Sequence, residues 1–240
     1  MFFGNYFGYG YGYYYMDTGM ILVIIAAIFS IIASARVNST FKKYSNMPTG
    51  RNITGEQAAR RILDSNGLYN VRVERVSGKL TDHFDPKANV IRLSDAVHSS
   101  TSVAAVGVAA HEAGHAVQHA TGYKPIKLRN SIVPVANIGS MAGPFLVLLG
   151  FVFSFGALAY TGIAFFSLAV LFQLVTLPVE FNASRRAINT LSGEGYLEST
   201  EVPAVKKVLG AAAMTYVAAA AVSIMQLLRL LMLVSRRNDD

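Results

Sequence analysis

Four stretches of this chain are apolar over the length that a membrane-spanning helix requires, which is roughly 20 residues. The first runs from Gly19 to Ala35 and the last from Gly210 to Val234. Between Asn130 and Val179 the chain carries no charged residue, which leaves room for two spans joined by a turn near Gly156 to Gly162. The pattern therefore predicts four transmembrane helices, and the middle two form a hairpin.

The segment between the first two spans has the mixed apolar and polar pattern of a folded domain. Thr54 and Gln57 form a capping box and Gly67 is placed as a stop, which predicts a helix of about 12 residues. Apolar and polar positions alternate in YNVRVERVSG and in ANVIRLS, so we predict two strands on either side of the turn-rich DHFDPK. A second helix, of about 19 residues, is predicted for TSVAAVGVAAHEAGHAVQHATG, which begins with polar caps and ends at Gly122.

Composition favours a membrane protein over a soluble or a nucleic-acid-binding one. Hydrophobic residues make up 52% of the chain and charged residues 15%, with a mean hydropathy of +0.39. The net charge is +7, but no nucleic-acid-binding module is recognisable and the basic residues gather beside the apolar stretches. We therefore expect the lipid bilayer, and no nucleic acid, as a partner. The chain has no cysteine, so a metal site would have to use His, Asp or Glu.

The positions of Lys and Arg predict the topology, because cytoplasmic loops carry an excess of both. Basic residues follow the first span, precede the second and separate the third from the fourth: Arg36, Lys42, Lys43, Arg51, Lys124, Lys127, Arg129, Arg185, Arg186, Lys206 and Lys207. The large loop and the segment 182–208 are therefore predicted to be cytoplasmic, with both termini outside. Arg236 and Arg237 oppose this arrangement, so the side of the C-terminus stays open.

An H-E-x-x-H motif lies on the second predicted helix of the loop, at His111, Glu112 and His115. Positions i and i+4 share one helix face, so the two histidines can each offer a ring nitrogen to one metal ion. Glu112 would project near that ion and take a proton from its bound water. The preceding strand, residues 90–93, could hold an extended peptide by strand addition. The alternative is a pair of structural histidines on a buried helix.

A catalytic zinc site of this kind needs a third protein ligand. His119 is two helical turns from His111, roughly 12 Å along the axis, which is too far for the same ion. Glu180 ends the charge-free run where the third span should reach the cytoplasmic interface, and a lone carboxylate there is costly unless it is paired. We predict the ligand set His111, His115 and Glu180. The alternative is an ion pair between Glu180 and one of the two arginines that follow it.

Three blocks of the chain carry a family resemblance: LTDHFDPKANVIRLS, SVAAVGVAAHEAGHAVQHA and LPVEFNASRRA. Together with the first anchor, they resemble the YugP-type neutral zinc metallopeptidases of bacterial membranes, from residue 19 to the last span. The resemblance implies a membrane-embedded peptidase that uses Zn²⁺. It carries over His111 and His115 as ligands, Glu112 as catalytic base and Glu180 as third ligand.

This chain departs from the related HtpX-like proteases at one supporting position. Those sequences have an Asp four residues after the ligand Glu, and Ser184 stands there in this chain. Asn182, Ser184 or His119 is therefore expected to support the ligands. As stabiliser of the oxyanion that forms during hydrolysis, we suggest Tyr196 or Arg185.

The predicted fold is mainly α: a transmembrane helical bundle with a small α+β, zincin-like domain on its cytoplasmic face. The predicted boundaries are a Tyr/Gly-rich tail at 1–17, transmembrane helix 1 at 18–36, the zincin-like domain at 37–132, the helical hairpin at 133–181, a cytoplasmic segment at 182–208, transmembrane helix 4 at 209–235 and a tail at 236–240. The protein is thus expected to be a multi-pass protein of the cell membrane with its active site on the cytoplasmic side.

The predicted function is that of a zinc endopeptidase in which Glu112 activates a zinc-bound water to hydrolyse a peptide or a membrane-protein substrate. One alternative is a site-2-type intramembrane zinc protease, which would typically take an Asp ligand from a segment that this chain lacks. The other is a non-catalytic metal-binding membrane scaffold, which would have no use for Glu112. An oligomer or a regulatory membrane partner is left open.

Overall fold

Seven helices and three short strands make up residues 18–238, the part of the chain that this computed structural model describes. In chain order they are α1 Thr18–Tyr44, α2 Gly55–Ser65, β1 Arg72–Val76, β2 His83–Asp85, β3 Val90–Ser94, α3 Asp95–His98, α4 Val103–Ala120, α5 Lys124–Val152, α6 Gly156–Gly193 and α7 Val202–Asn238. The Tyr/Gly-rich tail, residues 1–17, lies outside the described residues, as do residues 239 and 240. The mainly α fold with a small α+β part is confirmed.

Four of the described helices, α1, α5, α6 and α7, are long and apolar enough to cross a membrane. Large apolar side chains on them, such as Ile31 and Met141, are exposed rather than packed in a core, as expected of a surface that faces lipid. Helix α6 has 38 residues and rises roughly 57 Å, about twice the thickness of the hydrocarbon core. It therefore continues well beyond a bilayer.

The long helices also shorten the connection that the sequence predicts between the third and fourth spans. Both α6 and α7 continue through most of the segment 182–208, so that only residues 194–201 connect them. The protruding end of α6 and the first turns of α7 pack against α4. These two long apolar helices thus extend directly into the folded domain.

The helical hairpin turns just before the predicted position. Helix α5 ends at Val152 and α6 begins at Gly156, with Ser154 in the left-handed region at φ 52°. Gly162, which was predicted to lie in the turn, is instead inside α6. A Cβ at Gly162 would lie 2.5 Å from the carbonyl oxygen of Gly143 on α5. Small residues permit this close approach of two helix backbones, and the sequence pattern could not distinguish that role from a turn.

Two helix pairs form the membrane part. Helix α5 packs along α6, α1 packs along α7, and contacts between α6 and α7 join the pairs. A buried cluster at the α5–α6–α7 junction includes Val147, Phe166 and Leu230. Near the start of α1, Gly19 lies against Arg229 of α7. The two helices are therefore antiparallel, and the end of α1 lies with the start of α7 beside the folded domain.

The folded domain has the elements that its sequence predicts and two more, the strand β2 and the short helix α3. The capping box of Thr54 and Gln57 begins α2, and Gly67, at φ 73°, follows its last turn, so both predictions are confirmed. The sheet has the order β1-β3-β2, with β1 parallel and β2 antiparallel to β3. The extra strand β2 lies in the predicted turn DHFDPK. Its three residues are too few to show an alternating pattern.

The sheet order contradicts the prediction that residues 90–93 add a substrate strand. These residues belong to β3, whose two edges are already occupied by β1 and β2. Among the described strands, β1 and β2 are the edge strands, and β2 is the one that contacts α4. The loop before β2 is held in place by Asp82, whose carboxylate accepts hydrogen bonds from the Ser94 backbone and hydroxyl at 2.7 and 3.0 Å.

Helix α4 forms the centre of the domain and is buried over most of its length. It spans 18 residues, and the Ser102 side chain caps its start by accepting from the backbone N–H of Ala105. Its glycines allow the long helices to come close. A Cβ at Gly114 would lie 2.8 Å from the carbonyl oxygen of Ala183 on α6. This close contact is what brings α6 side chains within reach of α4.

Candidate metal and active site

Three side chains from two helices converge on one point. The Nε2 atoms of His111 and His115 on α4 are 3.2 Å apart, and Glu180 Oε2 on α6 lies 3.2 Å from the first and 3.4 Å from the second. Tetrahedral zinc with ligand distances of roughly 2.0–2.1 Å would separate its donor atoms by roughly 3.3 Å. The three donor atoms form a triangle of this size, so the residues present fit a zinc ion.

Hydrogen bonds on the far side of each imidazole point its Nε2 toward that triangle. His115 Nδ1 donates to Gln118 Oε1 at 3.0 Å, because an amide oxygen can only accept. This fixes the proton on Nδ1 and leaves the Nε2 lone pair for a metal. The Gln118 amide is itself oriented, since its Nε2 donates to the Val179 carbonyl at 2.8 Å and to Asn182 Oδ1 at 3.0 Å.

The residues that were predicted to support the ligands occupy different environments. Ser184 Oγ lies 3.1 Å from Nδ1 of His111, and Asn182 acts through Gln118. His119 is exposed and makes an edge contact with the Phe84 ring, with centroids 5.9 Å apart. Gln118 was missed from the sequence. No local signal marks it, because another polar residue, His119, follows it directly on the same helix.

The electrostatics of the site favour a cation. Burial alone would lower the pKa of His115, but the hydrogen bond to Glu180 and the negative charges of Glu112 and Glu180 outweigh burial and raise this pKa. Glu112 and Glu180 are both buried, so their charges are poorly screened by water. Arg129 approaches the free oxygen of Glu180, with Nη1 at 4.0 Å from Oε1. Oε1 of Glu180 therefore faces Arg129, and Oε2 faces the two histidines.

Two neighbouring cavities meet at this group. The first, of about 270 Å³, is bordered by His111, and its other walls come largely from apolar residues of α1 and α7. The second, of about 170 Å³, is bordered by His115 and is lined by polar groups such as Arg129 and by residues of β2. Both cavities are lined by Asp82, Glu112, Glu180 and Tyr216. The donor triangle thus lies at the middle of a cleft with one apolar and one polar half.

Comparison with known proteins identifies the family. A family model described as "Putative neutral zinc metallopeptidase" matches residues 19–235. A relative named "Putative membrane protease YugP", from Bacillus subtilis (strain 168), is 48% identical over 219 residues, which cover 91% of this chain and 97% of the relative. The chain belongs to this zinc metallopeptidase family. No solved structure matches the chain significantly.

Family membership confirms the resemblance that the sequence blocks suggested and gives the cofactor as Zn²⁺. His111, His115 and Glu180 also form the group of His, Cys, Asp and Glu side chains that could hold a metal among the described residues. These three residues are therefore the ones that could hold the zinc ion in the described part of the chain.

Tyr216 lies at the site, although the sequence analysis did not single it out. It projects from α7 and lines both cavities together with Glu180 and Glu112. The suggested oxyanion stabilisers lie elsewhere. Tyr196 is in the connection before α7, with its ring 5.6 Å from the Arg61 guanidinium, and Arg185 is exposed on α6. Neither lines the two cavities.

Proposed function

We propose that this protein is a membrane-embedded zinc endopeptidase that hydrolyses peptide bonds at the cytoplasmic face of the membrane. One observation carries the proposal: the buried Glu112 carboxylate borders both halves of the cleft, beside three donor atoms spaced for one zinc ion. A purely structural metal ion would need only the three donor residues and no carboxylate beside them. A carboxylate that faces the cleft without belonging to the triangle has the position of a general base.

Glu112 is in place to carry the proton that hydrolysis moves from the attacking water to the leaving amine. When bound, zinc would acidify a water molecule and polarise the carbonyl of the substrate. Glu112 accepts the proton of the attacking water at its carboxylate and delivers it to the nitrogen of the leaving amine. Its burial keeps bulk water away and so strengthens its interaction with the transferred proton.

Tyr216 is the group we assign to the oxyanion that develops on the substrate carbonyl. Its hydroxyl can donate a hydrogen bond, and it lines both cavities at the point where they meet. A donor aimed at this oxygen stabilises the transition state more than the ground state. Arg129 lies further along the polar half, and its side chain is 29% exposed. Its guanidinium is therefore available to donate to a backbone carbonyl of the substrate.

The walls of the cleft indicate an extended, membrane-associated substrate. The apolar half includes Val37 and Phe41 of α1 and Ala212 of α7, so it opens between helices that face lipid. The polar half is bounded by His83 and Phe84 of the edge strand β2, which could pair with an extended chain. Juxtamembrane segments of membrane proteins reach such a cleft at high effective concentration. The cytoplasmic location rests on the lysines and arginines at this end of the spans.

The test compares wild type with Glu112→Gln in detergent, and measures bound zinc by mass spectrometry of the metal and cleavage of a broad library of unfolded peptides. We expect Glu112→Gln to keep its zinc and to lose turnover by roughly 10²–10⁴-fold. Glu56→Gln, which changes an exposed carboxylate on α2, is the matched control and should keep both properties. Wild type that binds zinc but cleaves nothing in the library would favour the non-catalytic scaffold.

A further inference from the structure

Another cavity lies between α1 and α7 and shares no lining residue with the cleft. Its volume is about 510 Å³, and its walls are Arg36, Thr40, Lys43 and Tyr44 of α1 with Lys207, Gly210, Ala211 and Met214 of α7. We call these eight residues the basic groove. The spacing i, i+4, i+7, i+8 on α1 and i, i+3, i+4, i+7 on α7 means that each helix contributes one face. The groove is therefore a feature of the packed pair.

We propose that the basic groove binds the phosphate of an anionic phospholipid headgroup. Three cations, Arg36, Lys43 and Lys207, line it, and no acidic residue does. Among the described residues, no carboxylate forms an ion pair with any of the three. Like charges that converge without a counter-charge repel one another, so the groove favours an anion. Hydrogen-bond donors on Thr40 and Tyr44 complete a set that suits phosphate oxygens.

The position of the groove selects a lipid over a dissolved anion. Arg36 follows directly on the apolar part of α1, and Lys207 directly precedes that of α7, so the cations lie at the boundary of the spans. Ala211 and Met214 continue the wall toward the apolar part of α7, where acyl chains would lie. Basic pockets between transmembrane helices at this depth are suited to anionic headgroups.

The groove also has free space where a ligand would lie. A Cβ built at Gly210 meets no atom within 4 Å. The Lys43 ammonium is held near the Tyr44 ring, 5.5 Å from its centroid, so part of the cationic wall is already ordered. A bound headgroup would touch both helices at once. Other positions on the same two helices, at Phe41 and Val208, line the apolar half of the cleft.

The experiment titrates the full-length, detergent-solubilised protein with short-chain phosphatidylglycerol and, separately, with phosphatidylcholine, and counts bound lipid by native mass spectrometry. We expect phosphatidylglycerol to bind with a clear preference. The double variant Lys43→Gln/Lys207→Gln should weaken that binding by roughly 25-fold, at roughly fivefold for each cation removed. Equal binding of both lipids to wild type would overturn the proposal.

The matched control is Lys42→Gln/Lys206→Gln, which removes the same charge from exposed neighbours that do not line the groove. It should bind phosphatidylglycerol as wild type does. An equal loss in both double variants would show that diffuse surface charge attracts the lipid, and would contradict a defined site.

Gly210→Leu fills the groove without changing charge and should also abolish binding. Inorganic phosphate is titrated in a further arm, and binding as tight as that of the lipid would overturn the lipid assignment.

Discussion

Glu180 lies in an environment that is unfavourable for a carboxylate unless a cation is present. It is 3% exposed, it lies on an apolar helix, and its Oε2 faces two histidine nitrogens. A buried charge without a partner costs several kcal/mol or more, so its neighbours must supply positive charge. The hydrogen bond from His115 Nδ1 to the Gln118 amide oxygen leaves the Nε2 lone pair of His115 to a metal.

The first residue-scale prediction is that Glu180→Ala loses zinc, because a three-donor site becomes a two-donor site. Zinc per chain should fall from about one to a small fraction after identical dialysis, measured by mass spectrometry of the metal. Glu201→Gln is the control, because Glu201 is equally buried at 4% but accepts from the backbone N–H groups of Gly50 and Glu198. It should keep its zinc. Retention of zinc by Glu180→Ala would remove Glu180 from the ligand set.

The second residue-scale prediction concerns the tyrosine that we assign to the oxyanion. Tyr216→Phe removes only a hydroxyl, so zinc content should stay unchanged while kcat falls by roughly 10²-fold and KM changes little. Tyr196→Phe makes the same chemical change at the side chain that lies against Arg61. It should leave kcat unchanged. Steady-state kinetics on a peptide that wild type cleaves measure both, and a loss confined to Tyr196→Phe would reverse the assignment.

At the scale of elements, the site depends on how closely α4 and α6 approach. Gly114→Ala would place a methyl group 2.8 Å from the Ala183 carbonyl oxygen, and backbone cannot move aside as a side chain can. We expect an overpacking cost of about 1–3 kcal/mol in the free energy of unfolding, together with weaker zinc binding, because Glu180 moves away from the histidines. Thermal unfolding and zinc titration measure the two effects.

Gly107→Ala is the control on the same helix. It brings the same gain in helix propensity, but its Cβ would meet a Val205 methyl at 3.2 Å, which can shift. This variant should bind zinc as wild type does. If the two variants bound zinc equally well, the close contact at Gly114 would not be what positions Glu180.

The sequence predicted the elements of the domain well where a side chain forms a hydrogen bond with the nearby backbone. The capping box at Thr54 and the Ser102 cap mark helix starts because side chains satisfy backbone N–H groups there. Strand β2 and the hairpin turn were misjudged for a different reason. A three-residue strand is defined by its partner, and Gly162 is explained by the helix beside it. Information of that kind depends on tertiary contacts and is absent from any short stretch of sequence.

At the scale of the whole molecule, the ligand triangle joins the folded domain to the membrane part. The third donor was predictable because a carboxylate at the end of a charge-free run of the chain needs a reason to be there. Gln118, Arg129 and Tyr216 were not, because each looks ordinary in its own segment and becomes informative only where α4, α5, α6 and α7 meet. Zinc binding and correct packing of the membrane helices are therefore expected to be coupled.

The same architecture gives a test of sidedness. The hairpin turn at Phe153 and the α6–α7 connection at Glu194 lie at opposite ends of α6, and its 38 residues are more than enough to cross a bilayer. The chain has no cysteine, so Phe153→Cys and Glu194→Cys each introduce a single thiol at an exposed position. Labelling uses a membrane-impermeant maleimide on intact and on permeabilised cells. We expect Phe153→Cys to react in intact cells and Glu194→Cys only after permeabilisation, because the lysines and arginines cluster at the Glu194 end. The reverse pattern would place Glu112 and the cleft outside the cell, and the substrates would then have to be sought among extracytoplasmic segments.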